Sequence, residues 1–145
     1  MPRILLIDDE DVLRRMTRLL LERSGHEVEE AADGEQGLRA FRERPADVVL
    51  CDLFMPGREG METIGLLRRA GARVVAMSGG GVIGAMGLLD VALAMGACAA
   101  LPKPFTRQQL LDAIDAAVEG GDTPPRPLPR EEGARARPSG YFASE

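Results

Sequence analysis

Three short, uninterrupted apolar runs, at residues 4–7, 48–51 and 74–77, constrain this chain more than any other feature. A run of four apolar residues that does not alternate with polar ones suits a central strand of a parallel sheet, buried on both faces. Between the runs lie stretches with helical spacing. Val12, Met16, Leu19 and Leu20 predict one apolar face, with Arg14, Arg15, Arg18 and Glu22 off it. Leu38 and Phe41 mark a second helix, and Met61, Ile64 and Leu67 a third. Leu88, Val91, Leu93 and Met95 mark a fourth. Leu110, Leu111, Ile114, Ala117 and Val118 mark a fifth, with Thr106 as its N-cap.

Residues 28–32 complete the set as a strand by position more than by propensity, and residues 98–101 as a last strand before Pro102. A central strand would not tolerate that proline, whereas an edge strand can. The alternation is (βα)5, an α/β chain with a doubly wound parallel sheet and helices on both faces. A strand order of 2-1-3-4-5 places the last strand at an edge. The domain is expected over residues 1–120. Residues 121–145 hold half of the ten prolines and read as a disordered tail or linker.

The remaining composition excludes several classes. With 145 residues there is room for one compact domain. No apolar run is long enough to span a bilayer, and the first residues turn acidic before a secretory signal could form, so a cytoplasmic location is expected. The net charge of −5 does not favour direct nucleic-acid binding. Cys51 and Cys98 have no metal-ligand spacing and are expected as buried free thiols. His26, the sole histidine, is expected in a solvated turn, and the seven methionines as core filling.

Acidic residues stand at the ends of two of the buried runs: Asp8 and Asp9 after the first, Asp52 after the second. In a doubly wound sheet, ligands bind beyond the carboxyl ends of the strands, where the strand order reverses. Strands one and three are neighbours there, so the three carboxylates converge. Packed carboxylates repel unless a cation sits among them, and Mg²⁺ is the hard, oxygen-seeking ion that also binds phosphate oxygens. Ser78 ends the fourth strand and Lys103 follows the fifth. A hydroxyl and an ammonium are the groups a phosphoryl needs on the side opposite the metal. Asp52 is then a nucleophile that forms an aspartyl phosphate.

These elements, with Met55-Pro56, Gly60, Met77-Ser78-Gly79, Gly96-Ala97 and Lys103-Pro104-Phe105, resemble the receiver family of response regulators over residues 3 to 119. The resemblance implies a flavodoxin-like fold. It also implies Mg²⁺ held by Asp8, Asp9, Asp52 and the backbone carbonyl of Phe54, and a cis Lys103–Pro104 bond. Asp52 would be the phosphoacceptor, with Ser78 and Lys103 on the phosphoryl oxygens. The implied partners are a histidine kinase or phosphotransfer protein, and an output partner of unknown identity; Ser78 pulling on the glycine run at 79–81 is expected to switch the 4-5 face as the output surface. The domain would catalyse only its own phosphorylation and dephosphorylation. Ala100 stands where the family often has an aromatic residue, the stretch between Ser78 and Lys103 is longer than usual, and Phe54 and Gly80 occupy positions that tune hydrolysis. Two other functions fit the sequence less well. An aspartyl phosphatase would carry its nucleophile after strand one in a D-x-D pattern, which Asp8-Asp9 is not. A non-phosphorylated module would not need the five-residue site. A stand-alone receiver and the receiver end of a longer regulator both remain open.

Overall fold

The computed structural model describes residues 2–53, 59–78, 92–94 and 96–119, with residues 59–61 as backbone. The elements run β1 Arg3–Ile7, α1 Asp11–Arg23, β2 Glu27–Ala31, α2 Gly34–Glu43, β3 Val48–Asp52, α3 Glu59–Arg69, β4 Val74–Ser78, β5 Ala99–Pro102 and α4 Arg107–Glu119. The strands form one five-stranded parallel sheet in the order β2-β1-β3-β4-β5. The expected topology is therefore observed.

Each buried strand feeds two cores by alternation, because successive side chains point to opposite faces of a sheet. Leu5, Ile7, Val49, Cys51, Val74 and Ala76 pack on one face with Phe41 of α2 and Ile64 and Leu67 of α3. Ile4, Leu6, Val48, Leu50, Val75 and Met77 pack on the other with Leu21 of α1 and Leu110, Ile114 and Ala117 of α4. Among the described residues, α2 and α3 thus cover one face, joined there by Ala92, and α1 and α4 cover the other. Capping fixes where they start. Asp33 accepts from the Gln36 N–H at 2.8 Å, and Thr106 and Gln109 satisfy each other's backbone N–H at 3.0 and 2.9 Å. The latter is a reciprocal capping box, so the expected N-cap at Thr106 is observed.

Several expectations need correction. Helix α1 is turned about its axis relative to its hydrophobic pattern. Val12, Met16 and Leu19 are 72%, 56% and 53% exposed, whereas Arg14 and Leu21 are buried. The cause is polar. The Arg14 guanidinium is bound by Glu30 of β2 at 2.7 Å, and this contact holds that side of the helix against the sheet. Met16 therefore does not fill core, unlike Met77. His26 is buried, not solvated. Gly25, at φ 96°, lets the chain reverse so that the Gly25 and His26 N–H groups return to the Glu22 and Leu21 carbonyls, a Schellman closure. The imidazole Nδ1 then lies 3.3 Å from the Pro2 carbonyl oxygen.

Cys98 is exposed, because it sits in the bend entering the edge strand; Cys51 is buried as expected. Pro102 lies within β5 rather than after it, which the edge position allows. Of the fourth expected helix, residues 92–94 are helical, with Ala92 buried and Leu93 exposed, the reverse of the expected face. Leu88, Val91 and Met95, the glycine run at 79–81 and the tail at 121–145 lie outside the described residues. The helix expected fifth is α4 here, and its Val118 is exposed rather than on the buried face.

Candidate functional site

The register of the central strands builds the site. Ile7 of β1 pairs with Cys51 of β3, so Asp8 and Asp52 leave the sheet side by side. Asp52 pairs with Met77 and Ser78 with Pro102, which places Ser78 and Lys103 on the next level outward. Backbone hydrogen bonds pin these ends. Asp8 N–H donates to the Ala31 carbonyl at 3.1 Å, Leu53 N–H to Met77 at 2.8 Å, and Lys103 N–H to Ser78 at 2.9 Å.

Asp8 and Asp52 are buried and Asp9 is more open. One carboxylate oxygen from each lies within 4.8 Å of those of the other two. Asp8 also accepts the Glu10 N–H at 3.0 Å, which sets its rotamer. The Lys103 ammonium reaches between the strands and lies 3.3 Å from both Asp8 Oδ2 and Asp52 Oδ2. Burial alone would depress its pKa. The carboxylates of Asp52 and Asp8 outweigh that effect and hold it above the ordinary lysine value, so the side chain is an ammonium. The Lys103–Pro104 bond is cis. Burial, reinforced by Asp52 and Asp8, pushes the Cys51 thiol up, and it stays protonated beside the site.

This donor set fits a hard cation. Three carboxylate oxygens converge, and one ammonium cannot neutralise them. It also fits an anion on the far side. Ser78 Oγ is buried and finds no hydrogen-bond partner among the described residues, so its hydroxyl has a bond to give. Such a site can hold a divalent metal and a phosphoryl group together on one carboxylate.

The structure therefore gathers five of the residues singled out in the sequence: Asp8, Asp9, Asp52, Ser78 and Lys103. Phe54, whose carbonyl was expected as a ligand, lies outside the described residues, as do Met55, Pro56 and Gly80. The sequence reading missed Arg14. Its guanidinium donates to the Asp8 carbonyl at 2.8 Å, directly behind the acidic pair. The available signal was an arginine one turn into the helix that follows that pair, opposite an acidic strand; hydrophobic periodicity assigned it to solvent.

A family model for the response regulator receiver domain matches residues 4–115. The transcriptional regulatory protein AfsQ1 of Streptomyces coelicolor is 44% identical over 69 residues, 48% of this chain and 31% of that protein. The chemotaxis protein CheY of Halobacterium salinarum is 30% identical over 113 residues, 77% of this chain and 92% of that one. A response regulator receiver domain protein from Clostridium thermocellum superposes with a TM-score of 0.76 at 32% identity, over 84% of this chain and 98% of that one. The matches span 31% to 57% of the length of transcriptional regulators such as AfsQ1 and CseB. Among the described residues no helix is long and apolar enough to cross a membrane.

Proposed function

The chain belongs to the response regulator receiver domain family of two-component systems, and from that premise we propose that Asp52 is its phosphoacceptor, with Mg²⁺ as the resident cation. One observation carries the reading: the Asp52 carboxylate is buried at the end of a central strand, within 3.3 Å of the Lys103 ammonium and beside Asp8 and Asp9. Asp8, Asp9 and Asp52 would hold the metal, with the Phe54 carbonyl as a further ligand. Bound there, the metal supplies positive charge to phosphoryl oxygens.

The chain's own groups do the rest. An Asp52 carboxylate oxygen attacks phosphorus as the bond from phosphorus to the donor's imidazole nitrogen breaks; with the other ring nitrogen of the donor already protonated, the imidazole keeps the bonding electron pair and leaves neutral. Lys103 and Ser78 donate to the phosphoryl oxygens, stabilising the charge that spreads over them in a loose transition state. Asp52 then carries an acyl phosphate, which water cleaves. The domain catalyses only these two steps. The donor is a histidine kinase or phosphotransfer protein, and the compartment is the cytoplasm.

For output, we propose the face formed by β5 and α4; residues 79–91 and 95, where the sequence places the rest of the response, lie outside the described residues. Forming a bond to the phosphoryl group draws Ser78 inward, and the Ser78 carbonyl is bound to the Lys103 N–H at the end of β5. Ala100 packs partly buried in β5 and has no ring to reorient, so the signal would pass through the backbone after Ser78. The test of the reading is incubation with Mg²⁺ and acetyl phosphate. The wild type should gain one phosphoryl group by intact mass, and Asp52→Asn none; equal labelling of the two would reject Asp52 as acceptor.

A further inference from the structure

Arg14 is a buried cation outside the site whose placement is hard to explain by stability alone. All three guanidinium nitrogens are engaged. Nε donates to Glu30 Oε1 at 2.7 Å, one terminal nitrogen donates to the Asp8 carbonyl at 2.8 Å, and the other lies 2.8 Å from Asp11 Oδ1. The second oxygen of Glu30 is held by Arg18 at 2.8 Å, and Arg18 is held in turn by Glu22 at 2.8 Å. The network spans α1 and β2 and closes on the turn between β1 and α1. Replacing a buried ion pair by well-packed apolar side chains is often neutral or stabilising, so a pair of this kind is weak evidence for stability. Here it also turns an apolar stripe of α1 toward water.

What the network does uniquely is grip one peptide plane. The Asp8 carbonyl belongs to the peptide that joins Asp8 to Asp9, and the two carboxylates of the cluster hang from either end of that peptide. Its other neighbouring constraints are the Asp8 N–H on Ala31 and the Glu10 N–H on Asp8 Oδ1. With the carbonyl fixed by a planar, three-way-anchored guanidinium, rotation of the peptide is blocked. The carboxylates on both sides are then aimed before any ligand arrives. A lysine could not reproduce this, because its single nitrogen lacks the rigid fork.

We infer that Arg14 is a positioning residue for the cation site: it orients the Asp8–Asp9 peptide through the Asp8 carbonyl, with Glu30 holding the guanidinium in place. The inference rests on the proposed role of Asp8, Asp9 and Asp52 as cation ligands. Groups that orient metal ligands typically carry about 10–100-fold in metal affinity. The experiment is calorimetric titration of Mg²⁺ into the metal-free full chain, well below each variant's unfolding temperature, for the wild type, Arg14→Met, Arg14→Lys and the double variant Arg14→Met with Glu30→Met. The double variant removes the paired charge as a unit and guards against a single variant that fails to fold. Expected is a loss of about tenfold or more in Mg²⁺ affinity in all three, including the double variant with unfolding temperature close to wild type. Wild-type affinity in the folded Arg14→Met or double variant, whatever the change in stability, would overturn the role of Arg14 alone. Absence of Mg²⁺ binding by the wild type would overturn the cation site itself, and the inference with it.

Discussion

Removing the Lys103 ammonium tests the charge balance of the site. Its side chain is 17% exposed, and those of Asp8 and Asp52 are 2% and 3% exposed. Each contact is 3.3 Å long, worth about 5 kcal/mol in gross Coulomb energy at an effective dielectric of about 20. Part of that gain offsets the desolvation of the ammonium, which Lys103→Met no longer has to meet. What remains is the cost of leaving two buried carboxylates without their cation, about 3–5 kcal/mol for breaking a buried pair from one side. The metal-free variant should therefore be less stable by that amount. Mg²⁺ should behave in the opposite sense. In the wild type the ammonium weakens the attraction of the carboxylates for a second cation, and without it the ion should bind more tightly. A tightening of about tenfold would add about 1.4 kcal/mol of stabilisation at the same free Mg²⁺. The chain has no tryptophan and one tyrosine, so urea unfolding is best followed by far-ultraviolet circular dichroism, with chelator and with Mg²⁺. Equal metal-free stability of variant and wild type, or a smaller Mg²⁺ response in the variant, would refute the reasoning.

Three further outcomes are expected. Replacing Val12 by Ser and Met16 by Gln should change stability by only about 0.5 kcal/mol, while Leu21→Ala should cost about 2–5 kcal/mol; the two results compared in one urea series check the rotation of α1. Gly37→Ala should cost about 1–3 kcal/mol, because its new Cβ would lie 2.3 Å from the Cδ1 of Ile7, a buried side chain just before Asp8; equilibrium unfolding reads it directly. Burial alone would raise the Glu30 carboxyl pKa, but hydrogen bonds from Arg18 and Arg14 outweigh burial and hold it below the ordinary value. Its contribution is thus present above the unfolded value of about 4.3 and lost as pH falls through the folded one. Glu30→Gln should flatten that part of the acid limb in unfolding curves taken between about pH 5 and pH 3.

The fold was legible because its central strands are buried on both faces. Residues 4–7, 48–51 and 74–77 carry no polar interruption, and their ends deliver Asp8, Asp52 and Ser78 to the carboxyl end of the sheet whatever the helices do. Lys103 was legible for the same reason, as the residue after the last strand. Helix α1 was misread because periodicity weighs side chains by hydrophobicity alone. The partner that buries Arg14 is Glu30, 16 residues away on the edge strand, and nothing local to the helix announces it. His26 was misread because a glycine-led turn suggests solvent, whereas its backbone completes the end of α1 and carries the ring inward. Cys98 lies next to apolar residues in sequence, but at the exposed entry to an edge strand, which hydropathy does not register.

The most direct test of the central claim is to locate the acyl phosphate chemically. After incubation with Mg²⁺ and acetyl phosphate, borohydride reduces an aspartyl phosphate to homoserine, and peptide mass spectrometry finds the residue converted. Homoserine is expected at position 52 alone, lost when Mg²⁺ is chelated. Conversion at Asp8, Asp9 or elsewhere with Asp52 intact, or no conversion in a fully folded, Mg²⁺-loaded protein, would contradict it.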